Sequence, residues 1–201
     1  MKKKECLPPK IKSLLGRGLG KKEKAQAEAA AGVFFVVFLS ILLYSLLQIE
    51  VYRASALYLE DALAASNLAS AIIDIEEYGS TQNLIIGDPL LAFDRYTTAL
   101  KGNLNLDDSW QCENKRMISG RVEVIDYVIY NCVKEKIYAC RVGEEGILAS
   151  WEGTLGQERA PNGILVESTG VYSEITFPVE GILGVCTQAR KGKLVDIVAN
   201  D

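Results

Sequence analysis

Apolar residues are distributed along the chain in three successive regimes. Residues 29–49, AAAGVFFVVFLSILLYSLLQI, contain no charged side chain and are apolar on every face of a helix. Twenty-one residues at the α-helical rise make about 31 Å, enough to cross the hydrocarbon core of a bilayer. From Glu50 the pattern turns amphipathic, and neither Pro nor Gly occurs until Gly79. Leu57, Ala64, Leu68, Ala71, Ile75 and Tyr78 recur at three-and-four spacing, while Glu60, Asp61, Ser66, Asn67, Ser70, Asp74 and Glu77 fall mainly elsewhere. The pattern predicts one helix over residues 27–78, broken by Gly79-Ser80-Thr81, whose second half covers a flat surface. Asp88 as N-cap with Pro89 at the first helical position opens a second helix ending near Gly102. Beyond about residue 117 the segments RVEVIDYVIYNCV, IYACRV, GILASWEG, GILVES, VYSEITFPVE, ILGVCTQ and KLVDIVA read as five to seven short strands. Lys-Glu-Lys, Gly-Glu-Glu-Gly, Pro-Asn-Gly, Thr-Gly and Arg-Lys-Gly separate them as turns. Val171, Ser173, Ile175 and Phe177 share a side, as in a half-buried antiparallel sheet.

The expected fold is α+β: a long N-terminal membrane-spanning helix that continues into an amphipathic helix packed on a small antiparallel β-sheet. Four segments follow: a basic cytoplasmic head (1–28), the transmembrane helix (29–49), its extracytoplasmic continuation (50–78) and a small α+β domain (79–201). Ala54-Ser55-Ala56 has the form of a signal-peptide cleavage site. The apolar run is longer than the ~7–15 residues of a signal core, and the tripeptide lies inside a continuing helical pattern, so the segment is expected to be kept as an anchor.

Charge supplies the orientation. The formal net charge of −4 is a sum of unlike parts, because residues 1–28 hold nine Lys/Arg against three Glu and the remainder is strongly acidic. Basic residues before a membrane segment hold that end in the cytoplasm, so residues 50–201 are expected outside, with the lipid bilayer as a partner of the apolar helix and of the basic head. No nucleic-acid partner is expected of a head explained in this way.

Composition then removes chemistry. The chain has no histidine, which excludes Ser-His-Asp and Cys-His nucleophile pairs and imidazole metal sites. No Ser-x-x-Lys and no glycine-rich phosphate loop occurs, and the acidic pairs Glu60-Asp61, Asp107-Asp108 and Glu144-Glu145 are adjacent residues suited to solvation. No enzyme activity, metal or cofactor is expected. Cys6 falls in the head; Cys112, Cys132, Cys140 and Cys186 fall in the outer domain, with no C-x-x-C. Disulfides among these four are possible in three connectivities, with a Cys132–Cys140 bridge across the hairpin at Lys134-Glu135-Lys136 as one candidate and four free thiols as the other reading.

Glu28 lies at the inner edge of the apolar run, one residue before it; a carboxylate is costly deep in the bilayer and less so near the interface, so Glu28 reads either as an ordinary interfacial residue or as a group that pairs with a positive charge on another subunit or a freed N-terminus. The sequence Ala25-Gln26-Ala27-Glu28-Ala29-Ala30, the apolar run, and its close in Leu47-Gln48-Ile49-Glu50-Val51-Tyr52-Arg53 together resemble the TadE-like proteins of tight-adherence (Tad/Flp) pili. Within that resemblance, which covers residues 24–65, Glu28 matches the acidic residue that opens the hydrophobic segment, and Glu50 and Arg53 match the acidic-aromatic-Arg stretch at its outer end. The resemblance implies a minor pilin or pseudopilin whose partners are other pilin or pilus platform subunits, and a prepilin peptidase where the head is trimmed. Pilin processing places a small residue before the cut and Glu five residues after it; here a cut after Gly20 would leave Glu28 eighth. The alternative is a membrane-tethered extracytoplasmic binding or sensor module without a filament role, for which Trp110, Trp151, Tyr127 and Tyr130 are candidate contact residues.

Overall fold

The computed structural model describes residues 9–112, 118–181 and 185–197, and for residues 9–22 the backbone alone. Cys6, and residues 182–184 and 198–199 of the expected strands, lie outside the described residues. The chain divides into two compact units, Met1–Tyr52 and Arg53–Asp201.

The first unit is helical. It holds most of α1 (Pro9–Ser70). Phe34, Phe35, Leu39, Leu43 and Leu47 are all exposed, and none of the most apolar stretch of the helix is buried by the rest of the chain. This helix is long and apolar enough to cross a membrane. The two serine hydroxyls inside the run are satisfied internally, Ser40 Oγ donating to the Val36 carbonyl at 2.8 Å and Ser45 Oγ to that of Ile41 at 2.9 Å. Such back-bonding satisfies the serine hydroxyls along an apolar surface.

The second unit begins with the last turns of α1 and ends in a sheet. α1 stops at Ser70, eight residues before the expected end at Tyr78. Asp74 leaves the helix instead: its backbone N–H donates to the Ile85 carbonyl (2.8 Å), and its carboxylate caps a new short helix, α2 (Ile75–Thr81), by accepting from the N–H groups of Glu76 and Glu77. Gly79-Ser80-Thr81, expected as the breaker, lies inside α2, and Gln82 closes it in the left-handed conformation. A pairing between Ile73 and Ile86 rewards the break. α3 (Pro89–Leu104) opens as the sequence indicates, with Asp88 accepting from the Leu90 and Leu91 N–H groups and Pro89 in the first turn. Ala92, Tyr96, Leu100 and Leu104 form its buried face at four-residue spacing.

Five strands follow: β1 (Glu123–Val133), β2 (Lys136–Gly143), β3 (Gly146–Thr154), β4 (Gly170–Glu180) and β5 (Cys186–Asp196). They form one antiparallel sheet in the order β3-β2-β1-β4-β5. GILVES is not a strand; it belongs to the connection that carries the chain from edge strand β3 to β4, and Ala160 and Val166 of that connection are buried against Val128, Tyr130, Ile137 and Tyr172. The expected Arg190-Lys191-Gly192 turn lies in the middle of β5. Gly192 is there because the Tyr172 ring lies against it, and a Cβ would collide with the Tyr172 hydroxyl. The sheet therefore has two covered faces. α1 and α3 pack on one, with Leu63, Ile86, Tyr96, Leu100, Tyr127 and Ile175 at the centre, and the β3–β4 connection lies on the other.

Candidate functional site

The helix-bearing face holds a polar seam. The residues of α1 that turn inward are Leu59, Ala62, Leu63, Ser66, Asn67 and Ser70, a continuous stripe by helical spacing. This differs from expectation, since Leu57 and Leu68 of the apolar stripe point outward and three polar residues lie fully buried. Asn67 Nδ2 donates to two carbonyls of the sheet, Lys193 at 2.9 Å and Val171 at 3.3 Å. Ser70 Oγ donates to the Asn67 carbonyl (2.7 Å) and accepts from the Tyr127 hydroxyl (2.8 Å). Asn103 Nδ2 of α3 donates to Ser66 Oγ at 3.0 Å. Tyr96 faces Ser173 and stacks on Tyr127 with ring centroids 4.8 Å apart. Burial pushes both phenols well above the ordinary tyrosine value, so neither ionises at any physiological pH. The seam orients α1 on the sheet; it holds no acid or base in a useful range.

An ion-pair cluster ties α1 to the sheet beside that seam. Glu60 receives Lys193 Nζ at 2.7 Å and Lys191 Nζ at 2.8 Å, from alternate residues of β5. The hydrogen bonds from Lys191 and Lys193, and their charges, hold the Glu60 carboxyl down at about 2.

The opposite face carries a second charged group. Asp126 and Glu174 are direct neighbours across β1 and β4. Arg141 binds Asp126 through both ends of its guanidinium, Nε to Oδ1 at 2.9 Å and Nη2 to Oδ2 at 3.0 Å. Arg190 lies 3.8 Å from Glu174, which also accepts from the Tyr172 hydroxyl. Burial raises the Asp126 carboxyl above its ordinary value although Arg141 opposes the shift. Each acid is matched by its own arginine, so the strip is a set of paired charges.

A cavity of about 500 Å³ lies at the end of the sheet, lined by Phe93, Trp110, Tyr127, Val142 and Leu148 together with Arg121, Glu123, Glu144 and Glu145. Trp110 stands in the left-handed region (φ 63°), an uncommon conformation for a bulky residue, with Lys101 over its ring at 5.0 Å. No group of three or more His, Cys, Asp or Glu side chains able to hold a metal comes together among the described residues.

The residues singled out in the sequence are scattered. Glu28 is an exposed residue of α1 in the first unit, Glu50 lies later in that unit, and Arg53 opens the second. Ala54-Ser55-Ala56 is helical. The four outer cysteines are free. The Cys132–Cys140 bridge is excluded by register: the two-residue turn at Lys134-Glu135 pairs Cys132 with Ile137 and Ile129 with Cys140, which puts the two thiols on opposite faces of the sheet. Burial lifts the Cys132 thiol to about 11. Trp110, Trp151, Tyr127 and Tyr130 form no common surface, since Tyr127 packs with Phe93 and Tyr96 on the helix face and Tyr130 with Trp151 on the other. The sequence pattern set Asn67 and Ser70 off the apolar stripe, and it did not single out Tyr96; the signals that mark them are the phase Asn67 and Ser70 share with Leu59, Ala62 and Leu63, and the phase Tyr96 shares with Ala92, Leu100 and Leu104. No model of a known protein family matches the chain, and no curated protein or solved structure matches it either.

Proposed function

We infer that this chain is a single-pass membrane protein with its basic head inside and residues 50–201 outside, working as a minor pilin or pseudopilin-like subunit in assembly of a Tad/Flp-type pilus. The observation that carries this reading is the contrast within one helix. Residues 29–49 of α1 offer an apolar surface that none of the other described residues covers, while the turns from Arg53 to Ser70 are folded into the sheet unit. A surface of the first kind needs lipid or the helices of other subunits, and a thin filament is built from such helices packed side by side. Glu28, Glu50 and Arg53 lie at the two ends of that surface, and the resemblance over residues 24–65 supports the assignment. The basic head fits an inner-leaflet position by the positive-inside rule.

The test is co-purification of the full chain from membranes with a major pilin or pilus platform protein, together with loss of surface pili on deletion of the gene. Glu28→Lys is expected to abolish the association while the protein still reaches the membrane. Isolation of the chain alone, with piliation intact in the deletion strain, would overturn the reading. Mass spectrometry of the mature N-terminus separates an anchored assembly factor, which keeps the head, from a processed subunit that starts near residues 21–24.

The second reading, a tethered binding module, draws its support from the groove beside Phe93 and Trp110. A pull-down of the detergent-solubilised chain on peptidoglycan or glycan supports, lost with Trp110→Ala, is the result that would favour it.

A further inference from the structure

We draw no further inference here: the strongest candidate, the cavity at the end of the sheet beside Phe93 and Trp110, carries none, because nothing in the structure shows what occupies it, Glu144 and Glu145 in its lining being opposed by Arg121 there and by Lys101 over the Trp110 ring.

Discussion

The two ends of α1 obey opposite rules. Over residues 29–49 the helix is apolar and exposed, and the two serine hydroxyls fold back on its own carbonyls. From Arg53 to Ser70 the helix has two unlike faces, and the inner one is polar in half of its positions: Ser66, Asn67 and Ser70 are fully buried while Leu57 and Leu68 are about 60% exposed. The difference shows what burial requires. An apolar side chain gains by leaving water, but a small polar one can be buried equally well where the opposing surface supplies its hydrogen-bond partners. The β4 and β5 carbonyls and the Tyr127 hydroxyl do so here.

Paired truncations on the two faces of the outer half should produce the largest effects. Leu63 is completely buried and Leu68 largely exposed. Leu63→Ala is expected to cost about 2–5 kcal/mol through the lost transfer energy and the cavity left behind, and Leu68→Ala less than about 0.5 kcal/mol. Denaturant midpoints of the detergent-solubilised chain measure both, and equal losses would break the assignment of inner and outer faces. Asn67→Ala comes next. It leaves the Lys193 and Val171 carbonyls without their side-chain donor in a buried seam, at a cost of about 1–3 kcal/mol. An unchanged midpoint would mean that the seam is hydrated and the polar inner face is incidental.

These same residues show how far the sequence could be read. The uniform apolar run needs no partner to identify it, and Asp88-Pro89 carries its own capping chemistry, so both are legible locally. The outer half of α1 is not, because periodicity reports that two faces differ and leaves open which one meets the sheet. Leu57 and Leu68 suggested the wrong face; Asn67 makes sense only once the strand carbonyls opposite it are known. The end of α1 has a similar cause. Nothing in Ala71-Ile72-Ile73 forbids helix, and the break is set by the pairing of Ile73 with Ile86 and by the Asp74 cap. Arg190-Lys191-Gly192 misled for a third reason: glycine marks turns, but it also marks a place where another group comes close, here the Tyr172 hydroxyl. The groove beside Trp110 and the pairing of Asp126 with Arg141 arise from strand register, and no short window of sequence contains that information.

Gly192 offers a smaller test of that reading. Gly192→Ala should destabilise by about 1–2 kcal/mol as the new methyl meets the Tyr172 hydroxyl. Adding Tyr172→Phe removes the oxygen that clashes, so the double variant should recover part of the loss. Strict additivity of the two changes would show that the contact is not what excludes a side chain there.

The smallest effect belongs to Glu60, and its sign is set by the two lysines. The folded carboxyl titrates at about 2, against an ordinary value of 4.5. A group whose folded value is depressed contributes its stability above the unfolded value and loses it as pH falls toward the folded one, so the contribution is complete above pH 4.5 and disappears between there and about pH 2. Since all three side chains are about a third exposed, solvent screening reduces the contribution to about 1 kcal/mol. Glu60→Gln should therefore lower the midpoint slightly at pH 7 and flatten the acid limb of the stability profile over that window. The effect should shrink in high salt, because screening weakens half-exposed pairs. The Leu63→Ala difference arises from packing and should stay constant through the same change of salt. Salt thus separates the two ways in which the outer half of α1 is held, by charge at Glu60 and by shape and hydrogen bonds along its buried face. A Glu60→Gln profile parallel to that of the unaltered chain down to pH 2 would assign the helix's hold on the sheet to the buried face alone.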